Sequence, residues 1–436
     1  KYQFSIRELK AWARYISQYH TNFGLNESYV KGALYIYRDR LVTPEDRERF
    51  DSLLATISIG RIKHLIAQFT KRVVTDAIKS EIVKPRDKNN IQIFDIVIPV
   101  NSPLDTSYIP NSKEAVLIPT KETVLSLGKV AQAALLNEPL LLVGETGAGK
   151  TSIIRYLAYL TRNNFRRFNL NAQTEKSDFI GGHKPGKDRA FIWEDKILVE
   201  AMQKGYWLVL DEINLAPSQV IERINSLLDD DGFLVITEHR GEIYLKYIEY
   251  ERRLKVLIDQ FKARGLDLET ADKNAKEEMD KNNYRPIHKN FRLFATMNPA
   301  QYAGRQVFSP ALMNRFRVKW IDELPFEDMK EVVLAKFDLP VDLVDKMMNA
   351  YKFIYNETRQ VEKEIAHYTV RHLLRWAFRI QKAKQIGWSS DINKIAAIEA
   401  QEVFLDGLQE EDKFIRLRRV IEEEIARNFG KHQDTN

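Results

Sequence analysis

The hydrophobic positions near the start of the chain recur at helical spacing. Residues 4–16 read FSIRELKAWARYI, in which apolar side chains stand mostly three or four positions apart after a serine that can cap a helix. These apolar positions are Phe4, Ile6, Leu9, Trp12 and Ile16. The spacing predicts an amphipathic helix.

The same pattern returns far downstream as an internal repeat. Residues 368–380 read YTVRHLLRWAFRI and share the order aromatic, hydroxyl, β-branched, Arg, any residue, Leu and then Trp-Ala with the first segment. The matched pairs are Ser5 with Thr369, Arg7 with Arg371, Leu9 with Leu373 and Trp12 with Trp376. Helical segments follow both copies, ALYIYRDRL from Ala33 and AQEVFLDGL from Ala400, and they match again at Asp39 and Asp406. A repeat that opens and closes the chain indicates a tandem array.

Between the two copies the pattern changes to helices that alternate with strands. A basic helical stretch from Ile62 to about Lys84 leads through a polar connector to Asn90, and the alternation begins near Ile91. A predicted helix at 121–136 precedes the apolar strand PLLLV, and further apolar strands read YWLVL from Tyr206 and FRLFAT from Phe291. Strands that alternate with helices favour a covered, mostly parallel sheet.

Length and composition narrow the class of protein. A chain of 436 residues is too long for one ordinary core, so two or three compact units are expected. No window approaches 18 uninterrupted apolar residues, which argues against a membrane span, and KYQFSIRELK at the start does not resemble a signal peptide. The absence of cysteine excludes disulfides and thiolate zinc sites. The 67 basic and 61 acidic residues are interleaved, which favours a mixed solvated surface and leaves direct nucleic-acid binding open.

The strongest motif is a phosphate-binding loop. Residues 144–151, GETGAGKT, satisfy GxxxxGK[ST] between an apolar strand and a predicted helix. Such a loop closes backbone N–H groups round phosphates, while Lys150 supplies positive charge and Thr151 can ligate Mg²⁺. The predicted ATP-binding residues are Gly144, Glu145, Thr146, Gly147, Ala148, Gly149, Lys150, Thr151 and Ser152.

A second literal match to part of this pattern, GGHKPGK at 181–187, lacks the required context. Asp188 replaces the hydroxyl residue, no apolar strand precedes the segment, and Pro185 favours a loop. We therefore expect no phosphate site there.

Two adjacent carboxylates follow the apolar strand YWLVL. Asp211 and Glu212 stand at the carboxyl end of that strand, the edge at which parallel sheets present ligand-binding groups. The pair suits ATP hydrolysis: Asp211 can hold Mg²⁺, and Glu212 can activate the attacking water.

Together these segments resemble the midasin and dynein-related branch of the AAA+ ATPases. The resemblance runs through EPLLLVGETGAGKTS, NLNAQTEKSDFIGGHKP, GYWLVLDEINLAP, FRLFATMNPAQYAGRQVFSPALMNRF and YTVRHLLRW, and it covers most of the chain from about Asn111 onward. It implies that Asn298 is a sensor that positions the attacking water. It also implies that Arg315 is a finger that reaches a neighbouring module's nucleotide and that Arg371 is a lid sensor facing the phosphate.

The resemblance also predicts the domain organisation. Residues 1–57 are expected to be the helical lid of a preceding module, 58–90 a basic helical connector, 91–325 the large α/β domain with a P-loop NTPase sheet, and 326–436 a second helical lid. The expected partners are neighbouring AAA+ modules in a hexameric or pseudohexameric ring and a protein or pre-ribosomal substrate. The resemblance implies an intracellular protein, nuclear for a midasin-type ring involved in ribosome assembly and cytoplasmic otherwise.

One departure from the family is a highly charged helical insert at 244–283. Leu254, Ile258 and Phe261 form a modest apolar stripe, which suits either a docking helix or a solvated one. The histidines His183, His367 and His372 have no metal-ligand spacing.

Three alternatives to a hydrolytic motor module stay open. The first is a homo-oligomeric chaperone ATPase of the MoxR type, and the second is a module that holds ATP only to stiffen the ring. The third is a GTP-driven or nucleic-acid motor. The sequence has no guanine-binding NKxD signature, because Asn393-Lys394 is followed by Ile395 and Ala396. This argues against the GTP-driven motor.

Overall fold

A computed structural model of the protein describes residues 4–58, 60–70, 83–87, 89–94, 96–186, 191–229, 231–299, 308–360, 368–406, 408 and 412–430. His367 and Lys187, which figure in the sequence predictions, lie outside this range. The chain divides into two compact units. The first comprises residues 1–116, 126–143 and 150–321, and the second comprises 117–125, 144–149 and 322–436.

The helices and strands are numbered here in chain order. The helices are α1 (Ile6–Phe23), α2 (Leu25–Ile36), α3 (Pro44–Ile57), α4 (Arg61–Thr70), α5 (Lys121–Leu136), α6 (Lys150–Leu160), α7 (Lys176–Phe179), α8 (Ile197–Lys204), α9 (Ser218–Glu222), α10 (Tyr247–Ala263), α11 (Leu268–Lys281), α12 (Pro310–Met313), α13 (Phe326–Lys336), α14 (Val341–Gln360), α15 (Val370–Gln385), α16 (Ile392–Phe404) and α17 (Asp412–Phe429). The strands are β1 (Val83–Asp87), β2 (Asn90–Ile93), β3 (Ile96–Pro99), β4 (Leu140–Val143), β5 (Phe165–Asn169), β6 (Gly181–Pro185), β7 (Phe191–Asp195), β8 (Trp207–Asp211), β9 (Phe233–Ile236), β10 (Glu242–Leu245), β11 (Tyr284–Pro286), β12 (Arg292–Met297) and β13 (Arg317–Trp320).

The centre of the first unit is a five-stranded sheet with the order β13-β4-β12-β8-β5. All its pairings are parallel, and β4 and β8 are buried along their whole length. Strands that are covered on both faces need apolar residues at every position, which explains the unbroken run LLLV in β4. The predicted parallel sheet is confirmed.

Two segments differ from the sequence predictions. Residues 83–87, expected within a helical stretch and a polar connector, form β1 of an antiparallel three-stranded sheet with β2 and β3. Residues 181–185, expected to be a loop, form β6, which pairs with β7. Pro185 is tolerated because it ends an edge strand, where no ladder hydrogen bond is needed from its nitrogen.

The charged insert is a pair of helices with a small core of its own. Leu254 of α10 packs with Ala275 and Met279 of α11, and Ile258 and Phe261 lie against this cluster. The predicted apolar stripe therefore packs inside the insert. The two helices connect β10 to β11, which are parallel neighbours in a second small sheet.

The internal repeat is visible in the contacts of its two tryptophans. The indole N–H of Trp12 in α1 donates to the carbonyl of Tyr29 in α2 at 2.9 Å, and that of Trp376 in α15 donates to the carbonyl of Ala396 in α16 at 2.9 Å. A capping box opens both α1 and α15. Both copies of the repeat thus begin with the same helix pair.

The two copies differ in how much apolar surface they bury. Leu373 is fully buried in the core of the second unit, whereas its counterpart Leu9 is 55% exposed and Ile6 is 69% exposed. The second unit is helical, and its core is built around Trp376, Tyr351 and Phe404. Among the helices of the described residues, none combines the length and apolar character needed to cross a membrane.

Candidate functional site

Polar side chains gather in the first unit where the neighbouring strands β8 and β12 end. Lys150 opens α6, Asp211 ends β8, Glu212 follows it, and Asn298 follows β12. Because these strands are parallel, their carboxyl ends meet at one edge, where open α/β sheets bind ligands. The sheet therefore brings together residues that are up to 148 positions apart in the chain.

Asn298 links the loop lysine to the carboxylate. The ammonium group of Lys150 donates to Oδ1 of Asn298 at 2.8 Å, and Nδ2 of Asn298 donates to the two carboxylate oxygens of Glu212 at 2.8 and 3.0 Å. Asn298 is only 1% exposed, and its backbone carbonyl accepts a bond from Nδ2 of Asn214 at 3.0 Å. A buried amide bonded at both ends has one orientation, so it fixes the position of the Glu212 side chain.

Glu212 also has an unusual backbone. Its φ of 55° and ψ of 44° lie in the left-handed region, which costs an L-residue about 1–2 kcal/mol. The backbone N–H of Glu212 donates to Oγ1 of Thr296 at 3.3 Å, which supports this conformation. Such strain concentrates at functional sites, where the surrounding structure enforces it.

The Asp211 carboxylate has side-chain contacts at both of its oxygens. The hydroxyl of Thr151 donates to Oδ1 of Asp211 at 3.1 Å, Thr296 donates to the same oxygen, and Arg167 of β5 forms an ion pair with Oδ2. A hydroxyl oxygen and a carboxylate oxygen at this separation suit Mg²⁺ as ligands, because this ion prefers oxygen ligands. Thr151 and Asp211 are therefore the residues that could hold the ion.

The loop from Gly144 to Gly149 belongs to the second unit and needs its glycines. Gly147 and Gly149 have φ values of 92° and 77°, which side chains rarely adopt. A Cβ atom on Gly147 would lie 3.1 Å from Cγ1 of Val370, at the start of α15. The predicted sensor Arg371 follows Val370 in that helix, and its side chain is exposed.

Arg315 lies outside this cluster. It follows α12, and its Nε donates to Asp229 at 3.1 and 3.3 Å. Its contacts are therefore separate from the linked set of Lys150, Asn298 and Glu212.

Three residues that contact the site, Arg167, Thr296 and Asn214, belong to none of the predicted positions. Thr296 precedes Asn298 by two positions, so strand alternation could have suggested that both side chains share one face. Arg167 could not be found in this way, because its role depends on β5 lying beside β8.

Two family models match this chain. Residues 139–316 match the family model described as AAA domain (dynein-related subfamily), and residues 328–428 match the model described as Midasin AAA lid domain. Midasin from Dictyostelium discoideum is 28% identical over 335 residues, which are 74% of this chain and 5% of that protein. Midasin from Giardia intestinalis is 28% identical over 219 residues, or 50% of this chain and 4% of that protein.

Dynein heavy chains show a weaker likeness. The cytoplasmic dynein heavy chain of Dictyostelium discoideum is 25% identical over 346 residues, which are 76% of this chain and 7% of that protein. The chain thus spans less than a tenth of the length of these relatives. Family models match both the AAA domain and the lid. The chain therefore belongs to the dynein-related branch of the AAA+ ATPases and carries a midasin-type lid.

Proposed function

We propose that this module binds ATP with Mg²⁺ and hydrolyses the terminal phosphate. The observation that carries the proposal is the continuous set of contacts from Lys150 through Asn298 to Glu212. Lys150 would pair with the β- and γ-phosphates, and Glu212 would accept a proton from the attacking water. Asn298 would hold the Glu212 carboxylate in place for that step.

Thr151 and Asp211 would hold the metal ion beside the phosphates. A bound Mg²⁺ supplies positive charge that offsets the negative charge on the phosphate oxygens. Thr296 would keep the Asp211 carboxylate in one orientation, since it bonds to the oxygen that Thr151 also contacts. The glycine loop from Gly144 to Gly149 would surround the phosphates with backbone N–H groups.

We further propose that the module works in a ring of AAA+ modules that remodels a protein or ribonucleoprotein complex. Arg315 would complete a neighbouring module's site, and Arg371 would sense the phosphate from the lid. The two midasins and the midasin-type lid match support pre-ribosome maturation as the process and the nucleus as the location. A homo-oligomeric chaperone of the MoxR type is the alternative ring.

The test is Glu212→Gln in the full-length protein that carries this module. The substitution keeps the side-chain volume but removes the general base, so ATP turnover should fall while the nucleotide stays bound. Glu222→Gln is the matched control, because Glu222 lies in the short helix α9 of the same unit with an exposed side chain. Unchanged turnover in Glu212→Gln, with wild-type nucleotide content, would refute hydrolysis at this site.

One observation favours a second candidate function, a nucleotide site that only stiffens the ring. Arg167 forms an ion pair with Asp211, one of the two residues expected to hold Mg²⁺. If that ion pair persists with nucleotide bound, the site would keep ATP unhydrolysed. Wild-type protein that retains ATP rather than ADP after prolonged incubation with Mg²⁺ would favour this candidate over hydrolysis.

A further inference from the structure

Two arginines of the first unit meet on one carboxylate outside the Lys150 cluster. Nε of Arg315 lies 3.1 Å from Oδ1 of Asp229, and Nη1 of Arg7 lies 3.2 Å from the same oxygen. The Arg315 side chain is 23% exposed and that of Arg7 is 49% exposed. The pair therefore combines a largely buried cation with one that reaches the solvent.

A second set of contacts ties the same two chain segments together. Arg40 donates to Oε1 of Glu8 at 2.7 Å and to Oδ1 of Asn314 at 2.8 Å. Glu8 follows Arg7 in the chain, and Asn314 precedes Arg315. The segment that carries Arg7 and the segment that carries Arg315 are thus connected twice, once through Asp229 and once through Arg40.

Glu8 also fixes the start of the helix that carries Arg7. Its carboxylate accepts bonds from the backbone N–H and the hydroxyl of Ser5 at 2.7 and 2.6 Å. Burial acts to raise the pKa of Glu8, but these bonds and the charge of Arg40 lower it overall. Glu8 therefore stays ionised at neutral pH and keeps its bond to Arg40.

Asp229 sits in a turn with little freedom to move. The backbone N–H of Gly232 and the ammonium group of Lys246 both donate to the backbone carbonyl of Asp229. A Cβ atom on Gly232 would come within 2.7 Å of that oxygen and within 2.6 Å of the carbonyl of Leu227, so the turn requires glycine. The carboxylate is consequently presented from a fixed backbone.

This arrangement leaves the guanidinium groups able to bind a further anion. Two positive charges placed this close would repel each other, and the carboxylate between them offsets that repulsion. Arg315 contacts Asp229 through Nε and the carbonyl of Ala311 through Nη1 at 3.3 Å. Within the described part of the chain, its Nη2 has no hydrogen-bond partner, and a guanidinium fork suits phosphate oxygens.

We propose that Asp229 is a positioning residue that holds Arg7 and Arg315 together as one binding pair for the γ-phosphate of ATP on a neighbouring module. The proposal rests on the proposed function, because it requires a ring whose neighbouring site hydrolyses ATP. The repeat supports the pairing, since Arg7 occupies the position that Arg371 has in the second copy. Asp229 itself belongs to none of the sequence motifs.

The test compares Asp229→Asn with Asp231→Asn in the full-length protein. Asp231 is an exposed carboxylate in the same turn and serves as the matched control. Loss of one charged, hydrogen-bonded pair at the transition state lowers kcat by about 10- to 100-fold. Asp229→Asn should therefore lower kcat with little change in KM for ATP, and Asp231→Asn should leave both unchanged. Asp229→Glu should restore part of the rate.

The Glu212→Gln background identifies the site that Asp229 serves. With this module's own hydrolysis removed, the remaining turnover comes from other modules, and Asp229→Asn should still lower it by a similar factor. Added to the double variant Arg7→Ala/Arg315→Ala, which lacks both partners of the carboxylate, Asp229→Asn should cause no further loss. The proposal is overturned if Asp229→Asn leaves kcat unchanged, if Asp231→Asn has the same effect, or if the effect vanishes in the Glu212→Gln background. Failure of Glu212→Gln alone to lower turnover would overturn the proposed function.

Discussion

The buried lysine at the edge of the central sheet offers the sharpest stability test. Lys319 of β13 has a fully buried side chain. Its ammonium group lies 3.0 Å from Oδ2 of Asp39, donates to the backbone carbonyl of Tyr35, and stands 3.5 Å from the centre of the Tyr35 ring. These contacts join α2 and the segment after it to the sheet. The perturbation is Lys319→Met, which keeps an unbranched side chain, one atom shorter, and removes the charge.

We expect Lys319→Met to lower the free energy of unfolding because Asp39 remains without its partner. Asp39 is 17% exposed, so removing Lys319 leaves a mostly buried carboxylate without its nearest cation. Breaking a buried pair from one side costs about 3–5 kcal/mol. Because Asp39 keeps some solvent contact and feels the charges of Lys129 and Arg38, we expect the lower end, about 3 kcal/mol.

The assay is urea unfolding of the wild type, Lys319→Met, Asp39→Asn and the double variant. The double variant should be more stable than the sum of the two single losses predicts, because neither charge is left unpaired. A coupling free energy of about 1.5 kcal/mol or more is expected for groups in such contact. A loss below about 1 kcal/mol in Lys319→Met, or strictly additive losses, would refute the reasoning.

The same pair predicts a pH dependence with a definite sign. Burial lowers the pKa of Lys319 from 10.5 to about 8, although the charge of Asp39 acts to raise it. Between these two values the unfolded chain binds more protons than the folded one, so the free energy of unfolding rises with pH. The stability advantage of the wild type over Lys319→Met should therefore widen from pH 8 to pH 10.5. A difference that stays constant or narrows would contradict this assignment.

Three further changes test the site and the repeat. Arg167→Ala removes a cation that competes with Mg²⁺ for Asp211, so the Mg²⁺ concentration for half-maximal ATP turnover should fall by up to about fivefold; a rise would mean that the arginine assists the site. Gly147→Ala should weaken ATP binding measured by calorimetry, because φ is 92° and Val370 is close; unchanged affinity would contradict this. Trp376→Phe should destabilise the protein by about 1–3 kcal/mol in thermal unfolding, since it removes the bond to the carbonyl of Ala396 and part of a fully buried ring; no loss would contradict the bond.

The sequence alone was sufficient for the parts of this protein that depend on local spacing. The phosphate loop, the Asp-Glu pair after a buried strand, the parallel sheet and the two copies of the repeated helix all follow from patterns within a few neighbouring residues. The two copies of the repeat also agree in a specific contact, because the indole N–H groups of Trp12 and Trp376 both donate to a carbonyl of the next helix. Such features are readable because helical and strand periodicity act over short distances.

Only the tertiary structure decided how the distant groups meet. The strand order β13-β4-β12-β8-β5 is not the order along the chain, and that order places Arg167 against Asp211 and Asn298 between Lys150 and Glu212. The left-handed backbone of Glu212 has no local sequence signal, since it is imposed by its neighbours. Sequence patterns specify which face of an element is apolar, but the pairing of charges across elements depends on register and packing, which the whole fold determines.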